Sequence, residues 1–180
     1  MQAPNSPDAK RVRLVALPPG AMRALVNGQT EAASELAGVR LSEFLAGAEC
    51  TWLWRLRLDQ IERDPRSAAW VARAAVAEPE EVVVGHAGFH GPPDEAGVVE
   101  VGYTVDPAFR RRGYARAMLR ELLRWAAGDP SVTRVRASIS PDNVASLATI
   151  DGFGFTQVGE QWDDEDGLEL VFEHRVRPTG

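Results

Sequence analysis

The sequence predicts one mixed α/β sheet with helices packed against it. Three observations carry that expectation. Strand-like and helical runs follow one another in the order βααβββαβαββ, and such mixing builds layered α/β folds. Three consecutive strand runs between positions 68 and 105 are separated only by short Pro- and Gly-rich turns, which reads as an antiparallel meander. One later segment, 113–127, carries an apolar stripe at helical spacing.

The elements follow in order. Residues 1–10 are polar, hold two prolines and read as a disordered tail before a single domain over 11–178. Residues 12–17 read as a first strand, ended by Pro18-Pro19-Gly20. Residues 21–48 have helical spacing, with Asn27-Gly28 and Gly38 as interruptions. Trp52, Leu53, Leu56 and Ile61 continue that spacing until Asp64-Pro65 stops it. The three strand runs are 68–77, 82–89 and 98–105. In the last of them Val99, Val101, Tyr103 and Val105 share one face, and Glu100, Gly102 and Thr104 share the other. Over 113–127, Ala115, Met118, Leu119, Leu122 and Leu123 form the stripe, while Arg116, Arg120 and Arg124 lie on another face. Gly128-Asp129-Pro130 ends this helix. A strand over 132–140, a short helix over 143–151 and a hairpin of 155–162 with 168–176 complete the chain. The hairpin tip is acidic, with Asp163, Asp164, Glu165 and Asp166.

Composition narrows the function classes. A chain of 180 residues buries roughly 70% of its unfolded surface and needs no staples. Hydrophobic residues at 44% and charged residues at 26% suit a soluble globular protein. The single cysteine, Cys50, excludes an internal disulfide and a four-cysteine metal site, and reads as a buried small hydrophobe. The start of the chain has no apolar core, and no run approaches the ~20 residues that span a bilayer. A cytoplasmic protein without a membrane partner is therefore expected. The net charge of −6 argues against wrapping nucleic acid. It leaves room for a small anion where positive charge gathers, as it does at Arg110, Arg111 and Arg112.

That arginine turn sits between a strand and a helix. The first N–H groups of a helix lack intrahelical partners, and the helix dipole adds positive charge there. A pyrophosphate suits such a helix start, and Gly113 and Ala115 keep the backbone bare for it. The Gly-Lys-Ser/Thr of a Walker loop and the Gly-x-Gly-x-x-Gly of a dinucleotide turn are absent here. The text Val105-Asp106-Pro107, then Arg110-x-x-Gly113-x-Ala115, resembles the GNAT superfamily of acyl-CoA-dependent N-acyltransferases. That family's pattern is Arg/Gln-x-x-Gly-x-Gly/Ala after a strand ending in Val-x-Pro. A second block agrees: Asn143-Val144-Ala145-Ser146 and then Gly154-Phe155 resemble the family's Asn-x-x-Ser helix and Gly-Phe strand entry. The run Val99-Glu100-Val101-Gly102-Tyr103 looks most like the branch that holds ribosomal-protein N-terminal acetyltransferases.

The resemblance implies a mostly antiparallel sheet splayed at the coenzyme A site, with acetyl-CoA or another acyl-CoA as cosubstrate and no metal. Backbone groups of Tyr103, Thr104 and Val105 would meet the pantetheine arm. The turn from Arg110 through Arg111, Arg112, Gly113, Tyr114 and Ala115 to Arg116 would hold the pyrophosphate. Asn143 and Ser146 would complete the cofactor site. A primary amine, on a small molecule or a protein N-terminus, would attack the thioester directly. Glu100 is the candidate base, with Glu165 second. The family's usual Tyr acid stands four residues before the Gly of Gly-Phe, where this chain has Ile150, so Ser146 is the candidate acid. The alternative is a non-catalytic acyl-CoA-binding or sensing module. Relatives are often homodimers. His86 and His90 share a face without a third ligand, which argues against a metal site. Trp52, Trp54, Trp70, Trp125 and Trp162 are expected as core or pocket walls, with Trp52 or Trp54 near the acceptor.

Overall fold

The computed structural model describes residues 9–164 and 167–176. Seven strands form one sheet in the order β1-β2-β3-β4-β5-β7-β6. They are β1 (Arg11–Ala16), β2 (Arg73–Glu78), β3 (Val82–Phe89), β4 (Val98–Val105), β5 (Arg134–Ile139), β6 (Thr156–Asp163) and β7 (Gly167–Arg175). Only β4 and β5 pair in parallel; every other neighbour is antiparallel. The mixed, mostly antiparallel sheet expected from the sequence is present.

The expected pair of helices after β1 is a trio. They are α1 (Pro19–Val26), α2 (Thr30–Ala37) and α3 (Ala48–Arg63). Gly38 ends α2 in the left-handed region, with its N–H bonded to the carbonyls of Glu35 and Ser34. A short 3-10 turn over Glu43–Ala46 then leads into α3, which Asp64-Pro65 stops. The strand expected over 68–77 begins only at Arg73. The Asp64 carboxylate accepts from the Arg66 N–H, and Pro65 presets the turn, so Pro65–Ala69 winds as 3-10 helix. Trp70, Val71 and Ala72 mimic a strand because they are buried.

Helices cover both faces of the sheet. One core gathers Met22, Leu25, Leu45 and Trp54 of the α1–α3 side against Val71, Ala74, Val76 and Val83. The other gathers Val84, Phe89, Val99 and Val101 against α4 (Tyr114–Gly128) and Ile150 of α5 (Val144–Ile150). In α4 the buried face is Tyr114, Ala117, Met118, Leu119, Leu122 and Ala126. Ala115, expected in that stripe, is instead half-exposed.

The five tryptophans divide. Trp54 is buried and donates its indole N–H to the Leu45 carbonyl at 2.7 Å. Trp125 lies between Trp70 and the Arg73 guanidinium. Trp52 and Trp162 are 53% and 75% exposed, so of the two places expected for them, core or pocket wall, the core is excluded. Their places on the outward side of α3 and on edge strand β6 explain this.

Candidate active site

The site begins where β4 and β5 part. Their register runs Val98↔Arg134, Val99↔Val135 and Glu100↔Arg136, and then stops. Beyond Glu100 the edge of β4 that faces β5 carries no ladder. Strand alternation decides which groups are left bare. His90 donates its N–H to the Glu100 carbonyl at 2.8 Å, and Asp106 donates to Val84 at 2.9 Å. The even-numbered residues, Thr104 included, therefore turn their backbone to β3. The N–H and C=O of Val101 and Tyr103 turn to the gap. Val101 was missed in the sequence because the alternation could not be phased without β3. The Val105 carbonyl also leaves the ladder, but accepts from Arg110 Nε at 3.2 Å.

From this gap a cleft of about 630 Å³ runs to the start of α4. Among its walls are Tyr103, Thr104, Val105, Arg110, Arg111, Gly113, Tyr114, Ala115, Arg116, Asn143 and Ser146. Phe109, Ala145, Ala148 and Thr149 add walls that the sequence did not suggest. Arg112 adds none; its guanidinium lies 5.6 Å from the Phe109 ring centroid. Arg111 and Gly113 adopt positive φ, 61° and 86°. Alternation of hand in a turn aims successive N–H groups at one point, the geometry of an anion nest. Gly113 is the N-cap of α4, and the first helical N–H to find its acceptor is that of Ala117, on Gly113 O. Those of Tyr114, Ala115 and Arg116 are the orphan donors of a helix start.

The arginines of α4 do different work from one another. Arg116 Nη1 donates to the carbonyls of Ala148, Thr149 and Asp151, and its guanidinium stacks on Phe153 at 4.7 Å. It thus caps α5 and fixes that helix beside the cleft. Arg124 pairs with Glu121, as its spacing allowed.

A knot of hydroxyls closes the other wall. The Tyr103 phenol lies near the Ser146 and Thr149 hydroxyls of α5, and burial raises its pKa above the ordinary tyrosine value. Asn143 accepts from the Ser146 N–H at 3.0 Å, and Thr149 donates to the Ala145 carbonyl at 2.8 Å. Ile150 is 4% exposed and belongs to the core. Sequence spacing gave no hint of this knot, because it joins β4 to a helix more than forty residues later.

On the opposite face of β4, the Glu100 side chain is partly buried and lies 3.7 Å from His90 Nδ1. His86 is buried against Trp54 and Phe44, which brings its pKa down to about 4. Cys50 is buried as expected, and its thiol is pushed up to about 12. Glu165 lies outside the described residues. Among the described residues no group of three or more His, Cys, Asp or Glu side chains is placed to hold a metal ion, and no helix is long and apolar enough to cross a membrane.

A sheet opened along one strand, feeding an anion-seeking helix start, defines a class of protein that holds a long phosphate-bearing ligand in a split sheet. The acetyltransferase (GNAT) domain model matches residues 22–156, three-quarters of the chain, and the chain belongs to that family. It is 42% identical over 81 residues to the N-alpha-acetyltransferase RimI of Mycobacterium tuberculosis, covering 43% of this chain and 48% of that protein. It is 37% identical over 73 residues to the uncharacterized N-acetyltransferase YjdG of Bacillus subtilis, covering 41% and 44%. The matches thus span about half the length of these curated relatives. The fold is similar to that of RimL, a ribosomal L7/L12 alpha-N-protein acetyltransferase crystallised with coenzyme A. There the TM-score is 0.61 at 16% identity, covering 92% of this chain and 94% of that one.

Proposed function

We propose that this chain transfers an acetyl or other short acyl group from acyl-CoA to a primary amine. The observation that carries this reading is the continuity of the cleft from the bared edge of β4 to the free N–H groups of α4. The residues fit the cosubstrate. Backbone groups of Val101 and Tyr103 suit the amide-bearing pantetheine arm, and the Arg111 to Arg116 turn suits a pyrophosphate. Acyl-CoA supplies an activated carbonyl and a thiolate leaving group.

The protein's part is to position the reactants and to move protons. Loss of the amine proton is assigned to the α3 side of β4, where Glu100 and His90 face each other. On the other side the Tyr103, Ser146 and Thr149 hydroxyls offer a proton to the departing sulfur. Tyr103 answers the departure at Ile150: its phenol, kept protonated by burial, enters from β4 instead of α5. The likeness to RimI, named as an N-alpha-acetyltransferase, favours a protein N-terminus as acceptor. The same proposal carries one functional unit over 11–178, a cytoplasmic location and a homodimer, checkable by fractionation and sedimentation.

The test is incubation with acetyl-CoA and a panel of peptide N-termini, lysine, polyamines and amino acids, following free thiol with a disulfide reagent. Buried Cys50 contributes no background to that readout. Turnover of at least one amine is expected, with Tyr103→Phe slowed roughly 100-fold at unchanged CoA affinity. Tight CoA binding without any turnover would support the second reading, an acyl-CoA sensor, which the apolar Ile150 favours.

A further inference from the structure

We infer that His90 takes the proton from the incoming ammonium, and that Glu100 acts through it as a positioning residue. The inference rests on the acyltransferase reading and deepens it.

His90 follows directly on β3 and is held at three backbone points. Its N–H bonds to the Glu100 carbonyl at 2.8 Å. Its own carbonyl accepts from Gln60 Nε2 at 2.6 Å and from Arg57 Nη1 at 3.2 Å, both from α3. The imidazole is therefore placed by main chain and can be exchanged without losing its anchor. Nδ1 faces Glu100 Oε1 at 3.7 Å. Nε2 stands 3.0 Å from where a Cβ on Gly102 would be. The ring thus lies over β4 at Gly102, between Glu100 and Tyr103 in sequence and at the start of the gap. Glycine at 102 leaves space for that ring. The His90 side chain is 50% exposed against 26% for Glu100, so the ring is the better placed to meet an amine arriving from solvent.

The charged groups that act on His90 are Glu100 from β4 and Arg57 from α3. Burial and Arg57 lower the proton affinity of His90, while Glu100 raises it; the balance falls below the ordinary histidine value. The free enzyme then holds a neutral ring near pH 7. With Nδ1–H toward Glu100, the lone pair sits on Nε2. The 3.7 Å separation is longer than a hydrogen bond, and such pairs tighten once substrate is bound. Imidazole also titrates nearer neutral pH than a carboxylate does, which suits proton abstraction there.

The step balances. The ammonium gives one proton to Nε2, and Glu100 faces the imidazolium formed. The freed nitrogen lone pair adds to the thioester carbonyl carbon, and the C–S bond breaks. The new amide nitrogen gives up a second proton as the departing sulfur takes one up. His90 returns its proton to water, so one H⁺ is released per turnover.

The experiment uses the full chain, acetyl-CoA and the best amine of the panel. It compares kcat/KM against pH for wild type, His90→Gln and Glu100→Gln, and follows the His90 Cε1–H resonance through a pH titration. Wild type should lose rate as pH falls through the His90 pKa. His90→Gln should be slower roughly 100-fold at neutral pH, lack that limb and bind CoA within twofold of wild type. Glu100→Gln should keep the limb but shift it, and the His90 resonance, to lower pH, because the anion facing the imidazolium is gone. A His90→Gln enzyme with wild-type rate and limb overturns the inference, as does a His90 titration that Glu100→Gln leaves unmoved. A wild-type chain that acylates no amine overturns the acyltransferase reading itself, a different result from an active wild type indifferent to His90.

Discussion

Ala115→Asp separates folding from cofactor binding by moving them in opposite directions. Ala115 is the second residue of α4 and lines the cleft. A carboxylate in the first turn complements the helix dipole and contributes about 0.3–1 kcal/mol to stability. For a chain of this length that raises the melting temperature by roughly 1–4 °C. The same carboxylate occupies the seat assigned to the pyrophosphate. One unit charge about 6 Å from another, at an effective dielectric near 20, costs about 3 kcal/mol, close to a hundredfold in Kd. Calorimetry with CoA and a thermal melt read the two effects on one sample. A variant that melts at or above the wild-type temperature and binds CoA with unchanged affinity refutes the helix-start assignment.

Three further outcomes follow from the packing. His86 is protonated in the unfolded chain below pH 6.5 but resists protonation in the fold down to about pH 4. Its neutral form therefore favours folding less and less as pH falls through that window, and about 3 kcal/mol is lost by pH 4. Urea unfolding at pH 7, 5 and 4 should show that slope in wild type and lose it in His86→Gln. Arg116→Met removes the cap on α5, and the solvent-exposed guanidinium keeps the cost near 1 kcal/mol. Its melting temperature should fall by about 2–4 °C. A disulfide reagent should leave native Cys50 untouched and react with it only after unfolding, and rapid native colour would contradict its burial.

What the sequence revealed was local. The turn from Arg110 to Ala115 was legible because its strand, its bare backbone and its helix lie within a dozen residues. The meander was legible because alternation and turn residues repeat along the chain. The start of β2 was not, since burial of Trp70, Val71 and Ala72 looks the same whether the backbone is extended or winding out of the turn at Asp64. The exposure of Trp52 and Trp162 depends on which face of α3 and which edge of the sheet meet water, and hydrophobicity alone does not say. The contacts to which we assign the chemistry were the least legible. Tyr103 reaches Ser146 and Thr149, and His90 reaches Glu100, only once β4 has found its neighbours.

The alternation along β4 has a consequence for how this stretch can vary. Side-chain direction and backbone direction both repeat every two residues, so Glu100 to Val105 is read in a frame of two. Inserting or deleting one residue exchanges both sets together. Tyr103 would turn to the α3 side, and the edge now open to the gap would be stitched to β3. A change of two residues keeps the frame but slides the phenol by about 7 Å, past the hydroxyls of α5. The segment is thus open to substitution but closed to changes in length. Relatives that share its chemistry are expected to keep the distance from the carboxylate to the tyrosine fixed, even where the residues between them differ.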